Sequence, residues 1–242
     1  MQKVRRRLTR LLAFVFRHPW SIGLSLGSLW CFIELSSELH DGELGPVDDA
    51  AAAVVTAWRG YLDWPMWVLT QGGGGLGMAL LAILAVLVTW LRGRRTEALF
   101  LVISTLGTSL LNFALKLGFQ RARPDIKSLY LIDTPNSFSF PSGHAMGSAG
   151  VLASLVVVAF ASGLPRRYRV PVGLLAASVA LGVALSRVYF GVHYPSDVLG
   201  GQLAACAWVS AVTGVFYPRL LPGEQSTQRT HDTVVDIADP DS

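Results

Sequence analysis

The chain has 242 residues, of which 52% are hydrophobic and only 15% charged, and its mean hydropathy is +0.46. These values exclude an ordinary water-soluble domain, in which about a quarter of the residues carry charge. The net charge of +4 does not point to a nucleic-acid partner, because the basic residues alternate with apolar runs instead of gathering on one face or tail.

The pattern predicts an all-α, polytopic membrane protein, with six transmembrane helices in one bundle behind an N-terminal interfacial helix. Lys3, Arg5, Arg6, Arg7 and Arg10 precede and flank an apolar stretch at 8–16, and Arg17 follows it. That stretch is too short to span a bilayer core of about 30 Å, so residues 1–19 read as a basic interfacial segment. A cleaved signal peptide is the rival reading, set aside because no small-residue cleavage site follows and a second apolar run begins at Trp20. The six-span domain then covers 20–217, and a polar segment at 218–242, rich in Thr and Asp, reads as a disordered cytoplasmic tail.

Within the domain the first span is 20–35, and Glu34, Glu38, Asp41, Glu43, Asp48 and Asp49 mark an acidic, solvated loop beyond it. The Ala-rich segment 50–58, rimmed by Arg59, Tyr61 and Trp64, reads as a helix lying in the outer interface. The second span, 66–91, is interrupted by Gly72, Gly73, Gly74, Gly75 and Gly77. No Lys-Ser or Lys-Thr follows these glycines, which disfavours a phosphate loop and leaves close helix packing or a flexible entrance to the span. Spans three to six are 98–117, 146–164, 170–185 and 198–217, and a mixed loop occupies 129–140. Cys31 and Cys206 lie in apolar runs and read as packing residues.

Counting crossings puts the N-terminus, the 92–95 turn, the 165–169 turn and the C-terminus on one side. All but Arg59, Lys116, Arg121, Arg123, Lys127 and Arg187 of the 20 Lys and Arg residues fall there. By the positive-inside rule that side is the cytoplasm. Cations left on the outer side against this bias are candidates for function, although Arg121 and Lys127 read by default as snorkelling interfacial residues.

Three polar clusters converge on that outer side: Lys116-x6-Arg123-Pro124, Pro141-Ser142-Gly143-His144 and Ser186-Arg187-x5-His193-x3-Asp197. Lys116, Arg123 and Arg187 can neutralise a dianionic phosphoryl group, the arginines as planar forks and the lysine as a point charge. Ser142 is placed as an N-cap and Gly143 leaves the backbone open, so the start of the fourth span directs free N–H groups at an anion. Taken alone, this four-residue string reads as a capped helix with an interfacial histidine. His193 and Asp197 are four apart where Pro195 can open a helix, so the carboxylate can fix the ring tautomer and free the other nitrogen as nucleophile or base. Metal ligation by this pair is the other reading. It is disfavoured by three neighbouring cations and by the lack of a third His or Cys at ligand spacing.

Together, in this order and facing one side, the clusters resemble the three signature motifs of the type 2 phosphatidic acid phosphatase family, membrane lipid phosphatases related to vanadium haloperoxidases. Every motif position matches. The resemblance implies that His193 is a nucleophile forming a phosphohistidine, that Asp197 orients it and that His144 protonates the leaving oxygen. It implies that Lys116, Arg123, Ser142, Gly143 and Arg187 hold the phosphoryl oxygens, and that neither a metal nor another cofactor is needed.

The expected function is therefore hydrolysis of a lipid phosphate or diphosphate at the extracytoplasmic interface of the plasma membrane. Undecaprenyl diphosphate, phosphatidylglycerol phosphate and phosphatidic acid all fit, and no residue code in the sequence ranks them. The alternatives are a lipid A phosphatase or a lipid phosphotransferase, and, from a different class, a non-catalytic scaffold or transporter. His193, Asp197 and His144, all intact, weigh against the last.

Overall fold

The structure, a computed structural model, describes residues 19–124 and 137–220. The expected N-terminal interfacial helix at 8–16, Lys127, most of the 129–140 loop and the tail beyond 220 lie outside the described residues. Eight helices and no strand occur among the described residues: α1 (Pro19–Asp41), α2 (Gly45–Thr56), α3 (Asp63–Gly72), α4 (Gly75–Leu91), α5 (Arg95–Phe119), α6 (Gly143–Ala161), α7 (Arg166–Tyr189) and α8 (Pro195–Leu220).

Helices α6 and α8 form the centre. The first packs on α5, α7 and α8, while α8 also receives α1 and α5. The core divides by depth. Near the end that carries the 92–95 and 162–166 turns, Phe100 and Leu101 of α5 meet Val158 of α6 and Val209, Val212 and Phe216 of α8. Towards the other end, Phe32 of α1, Phe140, Met146 of α6 and Ala204 and Ala205 of α8 form a second cluster. Phe140 stacks on Phe32 and meets Phe119 edge to face. Outward-facing Leu24, Trp30, Leu80, Leu84, Leu106, Leu110, Leu174 and Leu175 are exposed. So large an apolar exterior suits lipid rather than water.

Small and hydroxylated residues fill the interior. Thr108, Ser154 and Thr213 are buried and return their hydroxyls to the carbonyls of Ser104, Gly150 and Val209, each at 2.7 Å, so these three hydroxyls need no water. Glycines let the helices approach closely. A Cβ on Gly107 would overlap the Trp208 ring, and one on Gly150 would meet Thr108 Oγ1 at 2.7 Å.

Several boundaries differ from the expected ones. Among the described residues four helices are long and apolar enough to cross a bilayer, and the α3–α4 pair, bent by 51°, makes a fifth if its arms are one span. The count of six is thus not reached on length and composition. The shortfall lies in α1, which is long enough but carries Ser21, Ser25, Ser28, Glu34, Ser36, Ser37 and Glu38. Glu34, Glu38 and Asp41, expected in a loop, belong to this helix. The 50–58 segment forms α2 from Gly45 onward, and it packs against α7 and α8 through Ala52 and Val55.

The close approach at Gly107 sets a test. Gly107→Ala places its methyl in the Trp208 ring and is expected to cost about 1–3 kcal/mol of stability. Gly173→Ala, with nothing within 4 Å, is expected to leave stability unchanged or slightly raised. Thermal unfolding of both variants in one detergent checks this, and equal midpoints would contradict the packing described.

Candidate active site

Helix ends, not helix faces, make the site. Helix α5 stops at Gln120, whose φ of 48° is left-handed and whose N–H closes on the Lys116 carbonyl at 3.0 Å. A non-glycine residue in that conformation is held by its surroundings, and here it turns Arg121 and Arg123 back towards the bundle. The chain returns at Ser139, whose N–H donates to the Arg121 carbonyl at 2.8 Å. A cis peptide joins Phe140 to Pro141. Helix α6 then opens at Gly143 with Ser142 as N-cap, its hydroxyl accepting from Ala145 N–H at 3.5 Å. The Ser142 N–H donates to the Asp197 carbonyl at 2.9 Å, which ties this loop to the start of α8.

His193 lies between α7 and α8 and is 3% exposed; Asp197, in the first turn of α8, is fully buried. The ring nitrogen Nδ1 sits 3.2 Å from Asp197 Oδ2, while Nε2 faces Arg123 Nη1 at 3.1 Å. This arrangement gives Nδ1 the proton and leaves the Nε2 lone pair directed at the cations. Arg123 is aimed by three further bonds, to the Ser137 carbonyl at 2.8 Å, the Ser137 hydroxyl at 3.0 Å and the Val192 carbonyl at 2.7 Å. Lys116, three residues before the end of α5, donates to the Phe138 carbonyl. Arg187, 3% exposed at the end of α7, donates through Nη1 to the Thr70 hydroxyl, and its Nε is buried without a partner among the described residues. His144 lies within electrostatic reach of Arg187, His193, Arg123 and Lys116. All eight residues expected from the sequence are therefore gathered around the ends of α5, α6, α7 and α8. A Cβ on Gly143 would stand 3.2 Å from Asn112 Oδ1.

Two expectations are corrected. Arg121 is not a snorkelling interfacial cation. It donates to Asp197 Oδ1 at 2.7 Å, to Asp48 Oδ2 at 2.8 Å and to the Ser196 hydroxyl at 2.8 Å, and its guanidinium lies 3.9 Å from the Tyr194 ring centre. Asp48 is not in a solvated loop. It is 2% exposed in the first turn of α2 and accepts from the Ser196 N–H at 2.8 Å and hydroxyl at 2.6 Å.

Other neighbours gave no sign in the sequence. The Ser139 hydroxyl donates to Asp197 Oδ2 and lies 3.3 Å from His193 Nδ1. Asn112, one turn before Lys116, donates to the Pro141 carbonyl at 3.3 Å. The α3–α4 break also reaches the site: a Cβ on Gly74 would stand 3.4 Å from His144 Nε2, and one on Gly73 would overlap Val183 of α7. The glycines thus serve close packing and bring backbone up to His144.

Among the described residues no group of three or more His, Cys, Asp and Glu side chains is placed to hold a metal ion. The site can instead hold an anion between three cations and a helix N-terminus, and it can present a neutral imidazole nitrogen to that anion.

Residues 97–220 match the model of the PAP2 superfamily. The chain is 33% identical to the phosphatidylglycerophosphatase B of Bacillus subtilis over 70% of its own length and 83% of that protein. It is 35% identical to the decaprenylphosphoryl-5-phosphoribose phosphatase of Mycobacterium tuberculosis, over 66% of its own length and 86% of the other. The crystal structure of a transmembrane PAP2-type phosphatidylglycerolphosphate phosphatase from Bacillus subtilis superposes with a TM-score of 0.69 at 29% identity, covering 79% of this chain and 95% of that one.

Burial pushes the His193 imidazole down to about 4, opposed by its hydrogen bond to Asp197 and assisted by Arg123 and Arg187. The ring is therefore neutral at physiological pH. Because the folded state resists protonation, this site's contribution to stability is fully present above the unfolded value of about 6.5 and declines as pH falls towards about 4. In NMR spectra of histidine-labelled protein, the resonance lost in His193→Asn is expected to titrate near pH 4. A midpoint at or above 6.5 would contradict this geometry.

Proposed function

We propose, for a chain that belongs to the PAP2 superfamily, a membrane lipid phosphatase that cleaves a lipid phosphate or diphosphate through a phosphohistidine on His193. The observation that carries this reading is the orientation of one ring: Nδ1 is held by Asp197 and Nε2 faces Arg123, with Arg187 also near the ring.

In the first step Nε2 of His193 attacks phosphorus in line, and the bond to the leaving oxygen breaks. Lys116, Arg123 and Arg187, with the Ser142 hydroxyl and the Gly143 N–H at the start of α6, take up the charge spread over the equatorial oxygens. The buried Nε of Arg187 is a donor that a phosphoryl oxygen would satisfy. His144, which takes up a proton once the bound phosphoryl dianion offsets the cations around it, gives that proton to the departing oxygen, a contribution of about 10²- to 10⁴-fold for a basic leaving group. In the second step the now neutral His144 takes a proton from water. The resulting hydroxide attacks phosphorus, the P–N bond breaks, and inorganic phosphate and free His193 are restored. The three cations supply the positive charge that the reaction requires, so the mechanism needs no metal.

The apolar exterior suits a substrate whose tail stays in the bilayer while its phosphate enters between helix ends. The names of the relatives support a glycerophospholipid phosphate or a polyprenyl-linked phosphate as headgroup class. The excess of basic residues in the turns at the opposite end supports an extracytoplasmic site in the plasma membrane.

Phosphate release from purified phosphatidylglycerol phosphate, phosphatidic acid and polyprenyl diphosphates, in detergent with excess EDTA, tests the reaction. His193→Ala is expected to abolish turnover of every substrate. His144→Ala is expected to lose the lipids yet still release p-nitrophenol from p-nitrophenyl phosphate, whose anion leaves without a proton, and then to accumulate phosphohistidine because the second step lacks its base. Equal loss of both substrate types in both variants, or activity that depends on a divalent ion, would overturn the assignment.

Topology has its own test. A reporter active only outside the cytoplasm is expected to work when fused near Pro124 and to fail near Arg94 or Arg167. The inverse pattern would move the site to the cytoplasmic face.

A further inference from the structure

Phosphoryl transfer as described uses three cations and leaves Arg121 out. Its guanidinium is spent on protein groups: one arm bridges Asp197 Oδ1 and the Ser196 hydroxyl, the other reaches Asp48, and the plane lies against Tyr194. The two oxygens of Asp197 have different company. Oδ2 accepts from His193 Nδ1, from the Tyr194 N–H at 2.9 Å and from the Ser139 hydroxyl. Among the described residues Oδ1 is given one hydrogen-bond donor, Arg121 at 2.7 Å.

That asymmetry matters because the imidazole against Oδ2 is neutral and cannot balance the carboxylate's charge. Arg121 is the cation in contact with it, and a buried carboxylate without such a partner would rotate, take up a proton or draw in water. Arg121 in turn needs holding, since a free guanidinium beside a phosphoryl pocket would swing towards the substrate. Asp48 holds it. This carboxylate is anchored by both the N–H and the hydroxyl of Ser196, so it is fixed to the same turn of α8 that carries Asp197.

We infer that Asp48 and Arg121 are positioning residues for the reaction: a carboxylate–guanidinium strut through which α2 sets the orientation of Asp197, and through it the tautomer and direction of His193. The inference rests on His193 being the nucleophile. Asp48 stands outside the 97–220 segment that matches the superfamily, so the strut recruits a helix beyond the matched segment into the catalytic geometry.

The test compares kinetics with stability and substrate. Asp48→Asn retains an acceptor for Ser196 but loses the charge opposite Arg121. It is expected to lower kcat about 10- to 100-fold with KM changed less than about threefold, as for a small misplacement of a reacting group. Because the strut acts on the nucleophile and not on the acid, p-nitrophenyl phosphate turnover is expected to fall by the same factor as lipid turnover. In an Asp197→Asn background the same change is expected to cost less than about twofold, since its route is already broken. Arg121→Lys, which keeps the charge without the fork, is expected to fall between wild type and Arg121→Gln.

Additive losses in the Asp48/Asp197 cycle would overturn the inference. So would a rise in KM at constant kcat, which would mean that Arg121 binds substrate. A kcat per folded molecule that stays at the wild-type value while the unfolding midpoint drops would reduce the strut to a brace. If His193→Ala were active, the nucleophile assignment itself would have failed, an outcome separate from all of these.

Discussion

A carboxylate with no exposure to solvent, at the mouth of an apolar helix bundle, is the constraint around which this protein is arranged. Leaving a buried charge without its partner costs about 3–5 kcal/mol, so Asp197 must be satisfied on both oxygens. Its donors come from separate parts of the chain: Arg121 beyond α5, Ser139 before α6, and His193 and Tyr194 ahead of α8. Satisfying Asp197 therefore draws these segments together, and that same convergence brings Lys116, Arg123, His144 and Arg187 around one point.

The cations divide into two kinds by what they touch. Arg121 is held by two carboxylates and a hydroxyl of the protein itself. Lys116, Arg123 and Arg187 are held mainly by carbonyl or hydroxyl oxygens. These neutral partners orient the charges without cancelling them, so they remain available to an anion. Placing the whole assembly at helix ends lets the phosphate pocket be polar while the helix faces stay apolar for lipid.

The interior follows from the same economy of polar groups. Serines and threonines bond back to their own helices, and glycines at 107, 150 and 201 let helices approach to contact. Close approach at the α3–α4 break places Gly74 beside His144 and Thr70 under Arg187. The bent α3–α4 pair thus becomes one wall of the site, in keeping with the rule that irregular backbone at membrane depth is found where it is buried in protein or lines a cavity.

The sequence by itself determined the helical, membrane-embedded class, the three clusters, the N-cap at Ser142 and the opening of α8 at Pro195. Each of these is written in local spacing: apolar run length, a capping residue before a helix, a His and Asp four apart on one turn. Tertiary structure alone decided the contacts of Asp48, Arg121, Ser139, Asn112 and Gly74. Asp48 and Ser196 are 148 residues apart in the chain and Arg121 and Asp48 are 73 apart. Contacts at such separations leave no periodicity for a local pattern to reveal. Asp48 sits among acidic residues that do face solvent, and Arg121 lies at an unspecified position between Lys116 and Arg123 of its motif, so composition read both as surface. Only the packing of α2 against α7 and α8 turns that one aspartate inward, where burial makes the loss of either partner of the Asp48–Arg121 pair costly.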